Sequence, residues 1–162
     1  MLKIAVVTGS TRPGRNNEAV ARWVYAIAKE RKDADFELVD VADYNLPLLD
    51  EPMPPSLGQY THEHTKAWSE KIASFDAYVF VTPEYNHSTS GALKNAIDYL
   101  SREWNNNKAA GFVSYGGASG ARRSETARSP TRPLRASARR PAVGRVMTSN
   151  RVQGEHTWWM IA

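Results

Sequence analysis

Apolar residues follow two alternating patterns over the first 115 residues. Short apolar runs at residues 3–8, 36–41, 77–82 and 109–115 are typical of strands that are buried on both faces. Between these runs, apolar residues recur every three or four positions, which predicts helices over residues 17–32, over residues 64–75 and after residue 90. Strands that alternate with amphipathic helices predict an α/β fold with an open parallel sheet, covered by helices on both faces.

The apolar faces of the three helices follow from this spacing. They consist of Val20, Trp23, Val24, Ile27 and Ala28 in the first helix, Trp68, Ile72 and Phe75 in the second, and Leu93, Ala96, Ile97 and Leu100 in the third. Ser88, Thr89 and Ser90 are each suited to cap the third helix. Residues 45–58 contain four prolines and follow neither pattern, so we predict a loop there.

Both patterns end near residue 121. Residues 122–145 are dominated by Arg, Ala, Pro and Ser and show neither a helical nor a strand period. We interpret residues 1–121 as one domain and residues 122–162 as an atypical tail that is not a domain. Arginine without lysine in such a mixture is typical of a GC-rich gene translated in a shifted reading frame, and we favour that origin over a functional basic arm.

Composition places this chain among cytoplasmic, single-domain proteins. Its 162 residues are 41% hydrophobic, which is enough for one sizeable core. The sequence has no apolar stretch long enough to span a membrane and does not begin like a signal peptide. It contains no cysteine, which excludes disulfides and thiolate metal sites.

The basic charge belongs to the tail alone. Residues 1–120 carry 12 basic and 15 acidic side chains, whereas residues 121–162 carry 9 arginines and 2 glutamates. The net charge of +4 is therefore not a property of the predicted domain. The arginines permit a nucleic-acid-binding arm, although we regard this as the weakest interpretation of the sequence.

Three loops rich in small and polar residues follow the first, third and fourth predicted strands. Their sequences are GSTRPGRNN at 9–17, PEYNHSTSG at 83–91 and GGASG at 116–120. If the strand order is 2-1-3-4, all three loops meet where the order reverses, which is where open α/β sheets bind ligands. The first loop offers backbone N–H groups, the hydroxyls of Ser10 and Thr11, and the cations Arg12 and Arg15, which together suit a phosphate.

Two well-known phosphate motifs do not match the first loop. Gly9 and Gly14 have the spacing of a P-loop, but Arg15 and Asn16 replace its Lys and Ser/Thr. The dinucleotide fingerprint G-x-G-x-x-G is absent. From the residues alone, FMN and a phosphorylated metabolite both fit, and a simple helix cap is the alternative without a ligand.

His62, Glu63 and His64 resemble a metal motif in their composition. Positions i and i+2 diverge on a helix, so we expect a solvated face rather than a metal site, and we predict no metal ligand in this chain.

Three stretches resemble the NAD(P)H-dependent FMN reductase family, which includes quinone and azo-dye reductases. They are GSTRPGR after the first strand, TPEYNHSTSGALKNAIDYLS at 82–101 and SYGGASG at 114–120, and the resemblance extends over about residues 1–121. It implies a flavodoxin-like, three-layer α/β/α fold with strand order 2-1-3-4. Members continue through a fifth strand that we expect to be lost or altered here, so that the fourth strand has an unpaired edge and FMN is weakly retained.

The resemblance also implies which residues bind FMN. The phosphate would be held by Ser10, Thr11 and Arg12, with Arg15 and Asn17; the isoalloxazine ring would contact Pro83, Glu84, Tyr85, Asn86, Ser114, Gly116 and Gly117. No catalytic side chain is required, because the flavin N5 accepts and returns the hydride.

The function implied is transfer of a hydride from NADPH or NADH, through FMN, to a quinone, an azo compound, free flavin or a similar small molecule. A homodimer is implied by the resemblance alone. The alternative from a different class is a non-catalytic remnant, in which the altered C-terminus prevents productive binding of FMN.

Overall fold

A computed structural model describes residues 1–105, 107–116, 146–152 and 155–161 of the chain. The strands are β1 (Leu2–Thr8), β2 (Ala34–Val39), β3 (Ala77–Pro83), β4 (Ala109–Tyr115), β5 (Val146–Val152) and β6 (Glu155–Ile161). The helices are α1 (Asn17–Ala28), α2 (Glu63–Ala73), α3 (Gly91–Asp98) and α4 (Arg102–Asn105), and short 3₁₀ turns occur at Val41–Tyr44 and Pro55–Leu57. In the described ranges, no helix has the length and apolar character needed to cross a bilayer.

The strands form one sheet in the order β2-β1-β3-β4-β5-β6. The first four are parallel, and Val7 lies between Val39 of β2 and Phe80 of β3. The predicted parallel sheet with the order 2-1-3-4 is confirmed. Because β1 and β3 are neighbours while β2 lies on the other side of β1, the order reverses between β1 and β3.

The expectation of an unpaired edge on β4 is wrong. β5 pairs antiparallel with β4, from Val113 opposite Val146 to Ala110 opposite Ser149, and β6 pairs antiparallel with β5. A hairpin therefore satisfies the backbone of β4, and the edge of the sheet moves to β6. Residues 117–145 lie outside the described ranges, so the division at residue 121 and the shifted reading frame stay predictions.

Alternation of side chains along the strands divides the core into two layers. On one face, Ala5 and Val7 belong to a buried cluster with Trp68 of α2 and with Leu93 and Ala96 of α3. On the other face, Val6 and Val81 belong to a smaller cluster with Ala21 of α1. The predicted apolar faces of the second and third helices are thus confirmed, and the sheet is covered by helices on both sides.

The predicted apolar face of the first helix is only partly correct. Val20 and Val24 pack against the sheet around the fully buried Ala21, but Trp23 and Ile27 are 52% and 53% exposed. The contact with the sheet is centred on Asn17 and Ala21, so the buried face is rotated away from Trp23 and Ile27. The helical period locates an apolar stripe, whereas the neighbouring sheet decides how much of it is covered.

The end of β1 is fixed to β3 by a very close backbone contact. A Cβ atom placed on Gly9 would lie 2.6 Å from the carbonyl oxygen of Val81 and 3.1 Å from Cα of Thr82. Gly9 also accepts a hydrogen bond through its carbonyl oxygen from the hydroxyl of Ser90, which in addition caps α3 by accepting from Leu93 N. Of the three predicted capping residues, Ser90 is therefore the one that caps the helix.

We predict that Gly9→Ala destabilises the fold, because the new methyl group must displace the backbone of β3. The expected loss is about 1–3 kcal/mol in the free energy of unfolding, measured by urea denaturation. Gly91→Ala is the matched control, since a Cβ atom at Gly91 meets no heavy atom within 4 Å. Equal unfolding midpoints for the two variants would contradict the close contact at Gly9.

Candidate functional site

The loops after β1, β3 and β4 meet around one cavity of about 340 Å³. Its lining residues are Arg12, Asn16, Pro83, Glu84, Tyr85, Tyr115 and Gly116. Arg12, Pro83, Glu84, Tyr85 and Gly116 come from the set of residues proposed from the sequence, and the structure brings these five together. The cavity lies beyond the carboxyl ends of the strands where their order reverses, the usual ligand position in this type of sheet.

Ser10 connects the first loop to the second. It is only 1% exposed, and its Oγ lies 3.1 Å from the hydroxyl of Tyr85. The same Oγ accepts a hydrogen bond from the backbone N–H of Arg12 at 3.3 Å. Ser10 therefore sets the backbone of the first loop and the position of the Tyr85 ring together.

The two arginines of the first loop have different environments. Arg15 donates from Nη2 to Oδ2 of Asp40 at 2.5 Å, and its side chain is only 17% exposed. The other oxygen of Asp40 accepts from Thr8 Oγ1 at 2.7 Å. Arg12 lines the cavity and has no carboxylate partner in the described part of the chain. Arg12 is thus the cation available to an anionic ligand, while Arg15 is committed to Asp40.

Asn17 and Thr11 do not line this cavity. Asn17 is fully buried, accepts from Gly9 N at 2.8 Å through Oδ1, and donates to the carbonyl oxygen of Val81 at 2.9 Å through Nδ2. Both ends of its amide thus join the end of β1 to β3. Thr11 lines a different cavity, beside α3.

The second loop is shaped by a tight turn from Tyr85 to Ser88. The backbones of these two residues exchange hydrogen bonds of 3.0 and 3.1 Å, and Asn86 and His87 have φ values of 50° and 69°. Two successive positive φ angles are the signature of a type I′ turn, in which Asn is favoured. Glu84 supports the turn by accepting from His87 N at 2.6 Å.

The third loop is joined to the second by a backbone hydrogen bond of 2.7 Å from Glu84 N to the carbonyl oxygen of Tyr115. Ser114 lies in β4 opposite Thr82, two residues before Gly116. Gly117 lies outside the described residues. The second and third loops are therefore connected through their backbones beside the cavity.

Sequence reasoning missed Asn16 and Tyr115. Asn16 is the N-cap residue of α1, and its side chain makes no capping bond, so it lines the cavity instead. Tyr115 ends β4 directly before Gly116, and this position at the carboxyl end of a strand could have identified it as a site residue.

Burial raises the pKa of Tyr115 above its usual value, and the nearby phenol of Tyr85 acts in the same direction. A hydrogen bond with Asn17 and the positive charges of Arg12 and Arg15 lower this pKa and so oppose the effect. The phenol stays neutral at physiological pH.

His62 and His64 differ from the expected divergent pair. His62 precedes α2 and has an extended backbone, so the two imidazole rings stack with centroids 5.2 Å apart. Their Nε2 atoms lie 3.9 and 3.1 Å from the carboxylate of Asp50. Within the ranges that the structure describes, no group of three or more His, Asp or Glu residues is arranged to hold a metal ion.

The arrangement of the three loops agrees with a comparison against protein families. The model of the NADPH-dependent FMN reductase family matches residues 2–143. The chain belongs to this family. The family match continues to residue 143, whereas the apolar patterns in the sequence end near residue 121.

Curated relatives and a solved structure agree with this assignment. An NAD(P)H-dependent FMN reductase of Schizosaccharomyces pombe is 48% identical over 120 residues, which are 73% of this chain and 60% of the relative. One from Nectria sp is 44% identical over 122 residues, which are 72% of this chain and 60% of that protein. The structure of FerB, a flavoenzyme NAD(P)H:(acceptor) oxidoreductase from Paracoccus denitrificans, superimposes with a TM-score of 0.57 at 26% identity, covering 78% of this chain and 68% of FerB. The chain spans about 60% of the length of the two curated relatives.

We predict that Asn17→Ala destabilises the protein, since it leaves the N–H of Gly9 and the carbonyl of Val81 buried without their partner. Each unpaired group costs about 1–3 kcal/mol, so the urea midpoint is expected to fall clearly. Asn16→Ala is the control, because Asn16 is exposed and makes no capping bond. A variant Asn17→Ala as stable as Asn16→Ala would show that the amide of Asn17 does not hold the two strands together.

Proposed function

We propose that the cavity between the three loops binds FMN and that the protein is an FMN-dependent oxidoreductase that uses NAD(P)H. The observation that carries the proposal is the convergence of Arg12, of Pro83–Tyr85 in the second loop and of Gly116 on one cavity at the reversal of the strand order. Membership of the FMN reductase family supports the same conclusion.

Arg12 and the start of α1 are the groups suited to the phosphate. Arg12 has no carboxylate partner in the described part of the chain, and Asn16 leaves the first turn of the helix without a side-chain cap. A guanidinium beside a helix N-terminus binds a phosphate monoester through charge and through N–H donors. The positive charge of Arg12 and the N-terminus of α1 therefore fit the phosphate group of FMN.

The second and third loops are suited to the flavin ring. Pro83 is buried at the end of β3, and the backbone N–H of Glu84 donates to the carbonyl oxygen of Tyr115. These contacts hold the polar backbone groups of both loops in place, so they can orient a ring without rearrangement. When bound, FMN supplies the hydride chemistry between NAD(P)H and an acceptor, and the protein contributes binding and orientation.

The acceptor that we propose is a small molecule such as a quinone, an azo compound or free flavin. Three further properties stay predictions: the use of NADH or NADPH as hydride donor, assembly into a homodimer, and a cytoplasmic location.

The non-catalytic remnant is the rival proposal. It rests on the altered C-terminus, of which residues 117–145 lie outside the described ranges, whereas the edge of β4 is paired with β5.

We predict that Arg12→Ala weakens FMN binding by about 10- to 100-fold, because a charge-assisted hydrogen bond of about 1.5–3 kcal/mol is lost. Quenching of flavin fluorescence during titration measures the dissociation constant. Arg22→Ala is the matched control, since Arg22 is exposed on α1 and pairs with Glu18 at 2.8 Å. Equal losses in the two variants would count against a phosphate site at Arg12.

The activity has a direct test. Purified full-length protein reconstituted with FMN is expected to retain the visible absorbance of oxidised flavin through gel filtration and to oxidise NADPH or NADH when a quinone is added. Protein that remains colourless and inert with added FMN would instead support the non-catalytic remnant.

A further inference from the structure

A second cavity, of about 570 Å³, lies between the N-terminus of α3, the loop after β1 and the segment that follows β2. We propose that this α3 cavity is a separate binding site for an uncharged, largely apolar small molecule that carries a hydrogen-bond acceptor such as a carbonyl group. Its volume lies within the range of small-molecule sites, about 300–1,000 Å³.

The walls of the α3 cavity determine the charge of its ligand. Val41, Ala42, Leu46 and Leu48 supply aliphatic surface, and no charged residue lines the cavity within the described part of the chain. Burying a charge without a partner is costly, so these walls favour a neutral molecule. The flavin cavity differs, because Arg12 and Glu84 line it.

A few donors among the lining residues determine the polarity of the ligand. The hydroxyl of Thr11 makes no hydrogen bond to the described residues, and the amide groups of Gly91 and Ala92 belong to the first turn of α3, in which Ser90 Oγ accepts from Leu93 N. An acceptor oxygen on the ligand would satisfy such donors, whereas an apolar molecule with no acceptor would leave them unpaired. A neutral carbonyl compound meets both requirements.

The outer wall of the cavity is held in place by polar contacts rather than by regular structure. Oδ1 of Asn95 accepts from Leu49 N at 3.0 Å, and its Nδ2 donates to the carbonyl oxygen of Pro47 at 2.6 Å. Asp50 accepts from Tyr99 at 2.8 Å and contacts His64 Nε2 at 3.1 Å. These contacts keep residues 47–50 in a fixed position beside α3, so the cavity is formed before a ligand arrives.

The α3 cavity is distinct from the proposed flavin cavity. Thr11 and Arg12 are adjacent in the chain, but the two cavities share no lining residue. Binding in the α3 cavity therefore goes beyond the proposed function, and it is measured in the absence of FMN.

Gly91 allows the cavity to be filled without disturbing the fold. It lines the cavity, and a Cβ atom built on it meets no heavy atom within 4 Å. Gly91→Phe is therefore expected to occupy the cavity, while Gly91→Ala leaves most of it open. Leu48→Asp is an independent variant, because Leu48 is 86% exposed at the rim and its replacement adds a charge without a packing defect.

The test is equilibrium dialysis of the full chain without FMN against 1,4-naphthoquinone as the neutral carbonyl probe, because bound FMN would offer a quinone a second site. We expect saturable binding to the unmodified chain, to Gly91→Ala and to Arg12→Ala. Binding is expected to weaken about tenfold or more in Gly91→Phe and in Leu48→Asp, with unchanged urea midpoints. The anionic 2-sulfonate of the same quinone is expected to bind about tenfold more weakly than the neutral probe.

Two results would overturn the α3 site. One is the absence of saturable binding to the unmodified chain, and the other is undiminished binding to both Gly91→Phe and Leu48→Asp. Failure of the proposed flavin site has a different outcome, in which the chain does not retain FMN but still binds naphthoquinone in a manner sensitive to Gly91→Phe.

Discussion

The buried amide of Asn17 is the interaction on which the candidate site depends. It bonds to Gly9 at the end of β1 and to Val81 in β3, while Gly9 lies against the backbone of β3 with no room for a side chain. Ser90 adds the start of α3 to the same junction. Because both loops leave from this junction, their separation is set by the core rather than by the loops, and a ligand between them meets a preformed surface.

Asp40 gives the two arginines of the first loop separate roles. By pairing with Arg15, it removes one cation from the loop, and its other oxygen anchors Thr8 at the end of β1. Arg12 is left facing the cavity without a carboxylate. One half-buried acid, Asp40, thus gives these two arginines different roles: Arg15 makes a structural contact, and Arg12 is left as a binding group.

The sheet and the position of the cavity were predictable, because buried strands, their order and the loops at their carboxyl ends follow from local apolar patterns and one topological rule. The roles of Asn17 and Arg15 were not, since both depend on partners far along the chain: Val81, 64 residues away, and Asp40, 25 residues away. The exposure of Trp23 and the stacking of His62 on His64 likewise depend on tertiary packing and on the exact start of a helix.

We propose that the cavity recognises a flavin through its phosphate, and a comparison of FMN with riboflavin tests this recognition most directly. The two ligands share the ring and the ribityl chain and differ only in the phosphate. Calorimetric titration of the full chain is expected to show FMN binding about 10- to 100-fold more tightly than riboflavin, as one or more charge-assisted hydrogen bonds require. Equal affinities, or no binding of FMN, would contradict the account.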